Sequence, residues 1–134
     1  VRNLLQKIGF LQKITAGIKF YNPMFKQADI VVVKFPFTDG SDFKKRPALI
    51  ISNELVNKTG DYLIVQITSK FNNDALSLLI EDTDCLQPLQ LESYLRIHKI
   101  STLHKSLILA KITEVKPDFF KSVIDKICRL LRYS

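Results

Sequence analysis

The clearest strand signal in the chain is Asp29-Ile30-Val31-Val32-Val33-Lys34-Phe35, a β-branched run of strand length. Pro36 and the turn-forming residues 38–42 end this run. Two further runs follow at 48–52 and 62–68, and the second is long and largely apolar. A run without polar alternation indicates a strand that is buried on both faces, as in a small closed barrel.

The remaining sequence predicts shorter strands and one terminal helix. Strand patterns occur at 77–80, 93–98 and 107–112. Pro117 marks a helix start, and an apolar helical stripe then runs to residue 132 through Val123, Ile124, Ile127, Leu130 and Leu131. Many short strands followed by one helix, within 134 residues, predict a single mainly β (α+β) domain.

Composition excludes several classes of protein. The hydrophobic fraction is 46% and the charged fraction 25%, which is ordinary for a globular domain and excludes a wholly disordered chain. No apolar run approaches the roughly 18 to 20 residues that span a bilayer, so no membrane partner is expected. Cys85 and Cys128 are too few for a disulfide framework, and we expect two reduced thiols in the cytoplasm.

The net charge of +7 favours an anionic partner, but it is unevenly distributed. Residues 1–23 hold four basic residues and no acid, whereas the other 111 residues hold 16 basic and 13 acidic ones, which leaves +3. The only methionine, Met24, directly precedes the first strand. We therefore expect an extension at 1–23 and a domain at 24–134. A membrane-surface helix, a targeting peptide and an arm for an anionic partner remain alternatives for the extension.

The polar residues that stand at strand ends are the candidates for chemistry. Arg46 opens the second apolar run, Thr68 closes the third, and Arg96 and His98 lie two positions apart, about 6 to 7 Å along a regular strand. An arginine and a histidine at that spacing can hold a phosphate and move a proton. The non-catalytic alternatives are a surface ion pair for each arginine and, for Thr68, the ordinary preference of threonine for strands.

Neither a metal nor a cofactor is expected. His98 and His104 have no neighbouring ligands at metal-binding spacing, and the two cysteines are far apart in sequence. The four glycines are scattered and form no phosphate-binding loop.

Three segments, taken together, resemble the MazF/PemK family of toxin endoribonucleases. They are the first strand with its Phe35-Pro36-Phe37-Thr38-Asp39 ending, the run Lys45-Arg46-Pro47-Ala48-Leu49-Ile50-Ile51-Ser52-Asn53, and Ile67-Thr68-Ser69. Residues 93–103 resemble the PemK-like branch, so the resemblance covers about 26–132. It implies an SH3-like antiparallel barrel with a C-terminal helix (a MazF/CcdB/PemK-like fold). It also implies a homodimer in the cytoplasm of a bacterium or archaeon.

The resemblance further implies the activity and the site. It implies a growth-inhibiting toxin of a type II toxin–antitoxin system, which cleaves single-stranded RNA, usually mRNA, at short sequences without a metal and has a cognate antitoxin. The family's arginine of the Arg-Pro motif falls on Arg46, its threonine of the Ile-Thr-Ser motif on Thr68, and its second arginine on Arg96. Where many members carry an aspartate, this chain has His98, and imidazole can serve as the base in its place.

The chemistry of RNA cleavage by 2′-OH attack assigns a role to each candidate. Arg46 and Arg96 would stabilise the phosphorane because a guanidinium is nearly always protonated. His98 is the best-matched proton shuttle, and Thr68 would orient the phosphate or the 2′-OH. RNA contacts are expected from residues on or beside the loop 38–45, which matches the family's substrate-gating loop, and after the third strand: Phe37, Lys44, Lys45, Ser69 and Lys70.

Two other functions remain open on the same fold. One is a non-enzymatic, gyrase-binding toxin of the CcdB type, which acts through its C-terminal helix. The other is a nucleic-acid-binding barrel that lost its activity when His98 appeared. The Arg-Pro-Ala-Leu and Ile-Thr-Ser signals argue against the gyrase-binding alternative, since they resemble the nuclease branch.

The charge distribution generates a prediction about residues 1–23. A chain that comprises only 24–134 should keep the cleavage sequence of the full chain, and its non-specific RNA binding should weaken and lose part of its salt dependence. Mapping of cleavage sites, together with binding titrations at two salt concentrations, checks both parts. A changed cleavage sequence would show that the extension belongs to the site.

Overall fold

The structure, a computed structural model, describes residues 25–36 and 42–133. The expectations for residues 1–23, Met24, Phe37 and positions 38–41 lie outside the described residues. Six strands and two α-helices follow in chain order in these ranges: β1 (Asp29–Pro36), β2 (Phe43–Ile50), α1 (Glu54–Asn57), β3 (Asp61–Thr68), β4 (Ser77–Ile80), β5 (Ser93–His104), β6 (Ile108–Glu114) and α2 (Pro117–Leu131).

The strands form one antiparallel sheet in the order β4-β5-β3-β2-β1-β6. The expected mainly β fold with a C-terminal helix is confirmed. The ladder itself does not close into a barrel. Instead, the segment after β4 reaches the end of β6 through an isolated bridge between Cys85 and Val115. The backbone N–H of Leu86 donates to the carbonyl of Glu114 (3.0 Å), and the N–H of Lys116 donates to that of Asp84 (2.8 Å).

Apolar clusters cover both faces of the sheet. The first cluster joins the sheet to α2 and comprises Ile30, Val32, Leu49, Val65, Ile67, Ile80, Cys85, Leu89, Leu95, Ile97, Ile112, Val115, Val123 and Ile127. The second lies on the opposite face and comprises Phe25, Val31, Val33, Ala48, Ile50, Tyr62, Ile64, Leu103 and Ile108. Successive strand residues point to opposite faces, so the four residues 30–33 alternate between the clusters and are all fully buried. This explains the continuous apolar runs in the sequence.

Two strands are longer than the sequence indicates. β2 begins at Phe43, which places Lys44 to Pro47 in a strand and not in the preceding loop. This part of β2 pairs with β1, whereas the pairing of β2 with β3 begins only at Ala48. It is therefore a sheet edge, where a proline is tolerated. β5 continues to His104 because the first half of β3 pairs with residues 100–104.

Helix α2 begins at the predicted Pro117 and runs to Leu131. Val123 and Ile127 are buried in the first cluster, and Phe119 and Phe120 pack against it. The end of the predicted stripe is not buried, since Leu131 is 74% exposed. Within the described ranges, no helix is long and apolar enough to cross a membrane.

A network of four charges fastens β1 to β6. Asp29, whose side chain is 2% exposed, accepts from the Nζ of Lys26 (2.9 Å) and lies 3.1 Å from the Nζ of Lys111. Glu114, the ladder partner of Asp29, accepts from the same two ammonium groups. The hydrogen bond with Glu114 raises the pKa of Lys26, and the hydrogen bond from Lys26 lowers the pKa of Glu114.

The lowered pKa of Glu114 predicts an acid-dependent loss of stability. A carboxylate with a depressed folded pKa stabilises the protein above its ordinary pKa of 4.5, and this contribution is lost as the pH falls through the folded value. Glu114→Gln should therefore cost about 1 kcal/mol of unfolding free energy at pH 7. The cost should shrink below pH 4.5. Urea unfolding at several pH values measures it, with Asp125→Asn on the exposed side of α2 as the control. A cost that stays constant into acid would contradict the prediction.

Candidate active site

The strand register brings the first sequence candidates together. Thr68 on β3 pairs directly with Tyr94 on β5. Arg46 lies two residues beyond Ala48–Gln66, which is the last pair of the β2–β3 ladder, and it points to the same face as Ala48. Directly opposed residues have Cα atoms about 4.5 to 5.5 Å apart and point to the same face. Thr68 and Tyr94 therefore stand side by side, and Arg46 shares their face of the sheet on the neighbouring strand β2.

Arg46, Thr68 and Tyr94 lie on the same face of the sheet as the second apolar cluster. Ala48 belongs to that cluster and shares a face with Arg46, two residues away on β2. On β5, Arg96 follows Tyr94 on the same face and pairs with Ser77 of β4. One end of the face is thus apolar. The other end, which we call the polar end, consists of Arg46, Gln66, Thr68, Ser77, Tyr94 and Arg96.

Arg96 is the most firmly held side chain of the polar end. Its Nη1 donates to Oδ1 of Asp74 (2.8 Å) and to Oγ of Ser77 (2.7 Å), and its Nη2 donates to Oδ2 of Asp74 (3.1 Å). The Arg96 side chain is only 12% exposed, whereas that of Asp74 is 40% exposed. Sequence reasoning missed Asp74. It lies 22 residues before Arg96, in a turn between strands, and no local pattern links the two.

Asp74 is stabilised as an anion. The hydrogen bonds from Arg96, and then the backbone N–H of Leu76, hold the pKa of this carboxyl below its ordinary 3.8. The charge of His98 makes the smallest contribution to the same lowering of the pKa.

An irregularity in β5 shapes this corner. Val65 pairs with Ile100 and Ile67 with Leu95, so the four residues 96–99 face the single residue Gln66. Extra residues of this kind bend a strand and redirect its side chains, and they are frequent beside active sites. His98 lies in this bulge and is exposed. The two-residue repeat of a regular strand therefore does not fix the distance between His98 and Arg96.

The end of β3 contributes a hydroxyl and an aromatic pair. The Oγ1 of Thr68 accepts the backbone N–H of Lys70 (3.1 Å), which leaves its own O–H free to donate. Ser69 and Lys70 are exposed directly after it. Phe71 is 57% exposed, and its ring lies 5.4 Å from that of Tyr94, at an interplanar angle of 55°.

The β2 side of the site carries positive charge. Arg46 is half-buried opposite Val33, and in the part of the chain that the structure describes its side chain has neither a hydrogen bond nor an ion pair. Lys44 and Lys45 are exposed on the same strand. Phe37 and most of the expected gating loop lie outside the described residues.

The described residues contain no group of three or more His, Cys, Asp and Glu side chains that could hold a metal ion. Cys85 is buried and Cys128 exposed, and neither forms a disulfide. Among the described residues, the groups that the site offers for chemistry are two guanidinium groups, hydroxyls, an imidazole and a carboxylate.

Comparison with known proteins gives a family match and a set of related folds. The family model for the PemK-like, MazF-like toxin of type II toxin–antitoxin systems matches residues 26–131. A comparison with curated proteins found no significant match.

Solved structures share the fold at low sequence identity. An endoribonuclease in complex with its cognate antitoxin, from a mycobacterial species, is 18% identical, with a TM-score of 0.66 over 82% of this chain and 99% of that chain. A MazE–MazF structure from Deinococcus radiodurans is 20% identical, with a TM-score of 0.67 over 84% and 100% of the two chains. The Mycobacterium tuberculosis toxin MazF-mt6 is 17% identical, with a TM-score of 0.60 over 75% and 93%.

Proposed function

This chain belongs to the PemK-like, MazF-like toxins of type II toxin–antitoxin systems, and on that premise we propose that it is an endoribonuclease that cleaves single-stranded RNA without a metal. The observation that carries the proposal is the polar end of the sheet face, where Arg46, Thr68 and Arg96 stand on three adjacent strands. These are the positions at which the family resemblance places its functional residues.

Two arginines on either side of a hydroxyl suit a phosphodiester. Arg46 and Arg96 stand on strands that lie on opposite sides of β3, so their Cα atoms are about 10 Å apart or more. Long side chains from both sides can converge on one phosphate, and guanidinium groups remain charged at every working pH. Their positive charge opposes the negative charge that grows on the phosphoryl oxygens as the nucleophile attacks.

The reaction that fits these groups is an intramolecular transesterification of the RNA. The 2′-oxygen of the RNA bonds to the adjacent phosphorus and loses its proton to a base, while the bond from phosphorus to the 5′-oxygen breaks and that oxygen takes up a proton. The products are a 2′,3′-cyclic phosphate and a 5′-hydroxyl. His98 is the group suited to move a proton near neutral pH. Thr68, whose O–H has no acceptor among the described residues, would donate to the phosphate or the 2′-OH.

The remaining surface fits a strand of RNA and a protein that blocks it. Lys44, Lys45, Ser69 and Lys70 are exposed around the site, and we assign the RNA backbone to them and a base to Phe37. One structurally similar endoribonuclease is described in complex with its cognate antitoxin, which supports an antitoxin partner here. We assign a homodimer as the working form and the cytoplasm, where mRNA is accessible, as its place of action.

The proposal predicts that Arg46→Ala abolishes most of the RNA cleavage. The measurement is the rate at which a labelled single-stranded RNA pool of varied sequence is cut in EDTA. We expect a loss of about 100- to 1,000-fold, which is typical when one charge-stabilising donor is removed. The variant should fold, because Arg46 forms no side-chain hydrogen bond or ion pair within the described ranges. Arg129→Ala on the exposed side of α2 is the matched control.

RNA that stays intact across the whole pool would overturn the nuclease proposal. A gyrase-binding toxin would then be the better explanation if growth inhibition persists in Arg46→Ala and is lost on substitution in α2. If the wild-type protein neither cuts RNA nor inhibits growth, an inactive nucleic-acid-binding barrel would be the better explanation.

A second prediction separates His98 from the rest of the site. His98→Ala should slow cleavage by about 100-fold or more if the imidazole carries the proton. It should also remove the part of the pH–rate profile that follows imidazole titration. His104→Ala, the only other histidine substitution that the chain offers, should cut RNA at the wild-type rate. If His98→Ala is as fast as wild type, the proton passes through another group.

A further inference from the structure

We propose that Asp74, together with Ser77, positions Arg96 so that the Nε and Nη2 edge of its guanidinium is presented to the phosphodiester. This assigns a positioning role to a residue outside the family motifs, and it rests on the proposed nuclease function. The carboxylate acts through Arg96 and does not itself touch the RNA.

The open edge of the guanidinium follows from which of the N–H donors of Arg96 already have an acceptor. A guanidinium has five N–H donors in a fixed planar fork. Asp74 takes one donor from Nη1 and one from Nη2, and Ser77 takes the second donor of Nη1. The two donors that remain are Nε–H and the second N–H of Nη2, which lie side by side on one edge. Within the described ranges, neither has a partner.

A phosphate is the ligand that this edge suits. Two parallel N–H groups match two oxygens of a phosphate or carboxylate, and the resulting bidentate pair fixes orientation as well as adding energy. On the same face, Tyr94 precedes Arg96 on β5 and pairs with Thr68 of β3, and Arg46 stands on β2, on the other side of β3. The open edge of Arg96 thus belongs to the group of side chains to which the phosphodiester is assigned.

Asp74 is itself held in place. Its Oδ1 accepts the backbone N–H of Leu76 (2.9 Å), and its own N–H donates to the carbonyl of Asn72 (2.8 Å). The carbonyl of Leu76 in turn accepts the N–H of Ile97 (3.0 Å), which fastens the loop to β5 beside Arg96. The hydrogen bonds from Arg96 lower the pKa of Asp74, which keeps the carboxylate ionised at neutral pH. Arg96 therefore meets its ligand with its rotamers already fixed, which lowers the entropy cost of binding.

Because Asp74 is an acid close to the proposed RNA site, its removal should affect RNA binding and the cleavage rate differently. A carboxylate repels phosphate, so its removal should leave RNA binding unchanged or make it tighter. Its removal also frees the guanidinium to rotate, and misplacement of a transition-state contact should slow the chemical step. A residue that merely supports the loop would lower stability, binding and rate together.

The experiment compares Asp74→Asn with wild type in two assays. One assay measures kcat on cleavable RNA, and the other measures the Kd for the same sequence with a 2′-deoxy substitution at the cleaved nucleotide. We expect kcat to fall by about 10- to 100-fold, and Kd to stay the same or decrease. Asp125→Asn, which removes the same charge from α2, should change neither quantity. In an Arg96→Lys background, which has no fork to orient, Asp74→Asn should cause no further loss of kcat.

Three results would overturn the positioning role: an unchanged kcat in Asp74→Asn, a parallel loss of binding and rate, or a further loss of kcat when Asp74→Asn is added to Arg96→Lys. If the wild-type protein cuts no RNA, the nuclease proposal fails, and ¹⁵N NMR of the Arg96 side chain still tests the positioning. Slow rotation should resolve its two Nη signals in wild type, and they should average in Asp74→Asn. Averaged signals in wild type would disprove the positioning.

Discussion

The burial of β1 on both faces constrains the rest of the molecule. Residues 30–33 are fully enclosed, with α2 and its cluster on one side and the second cluster on the other. A polar side chain cannot stand in the middle of such a sheet without a partner, because its desolvation is uncompensated. The candidate site accordingly lies at the end of the second face, beyond Ala48, where three strands come close to each other. The position of the candidate site follows from the packing of the core.

The site itself is less positive than its residue types indicate. Arg96 is neutralised by Asp74, so among the residues that the structure describes the guanidinium of the polar end without an acidic partner is that of Arg46. The lysines around it are exposed, and their charges are screened by solvent and salt. In the proposed function, the site therefore contributes orientation of the RNA more than attraction. Non-specific attraction is assigned to the exposed lysines, which would bind the RNA backbone without selecting its sequence.

Sequence reasoning was most reliable where one local property fixes the structure. The β-branched run of β1 and the proline of α2 predict both elements, because strand preference and a proline in the first helical turn act within a few residues. The extension of β2 to Phe43 depends on pairing with β1, and the bulge at 96–99 depends on three strands at once. The Asp74–Arg96 pair joins a loop to a strand, and neither residue type requires the other. The roles of Arg46, Thr68, Arg96 and His98 stay predictions until their chemistry is measured.

The bridge between the edge strands has a consequence for how the molecule opens. β4 and β6 are joined through residues 84–86 and 114–116 by a short set of backbone hydrogen bonds, whereas β1 is held by a full ladder on each side. Local opening begins where the fewest bonds and the least apolar area must be given up. The contact between residues 84–86 and 114–116 should therefore open first, and amide exchange with solvent should start there. The strand edges that it covers would then become available to other chains before the core loosens.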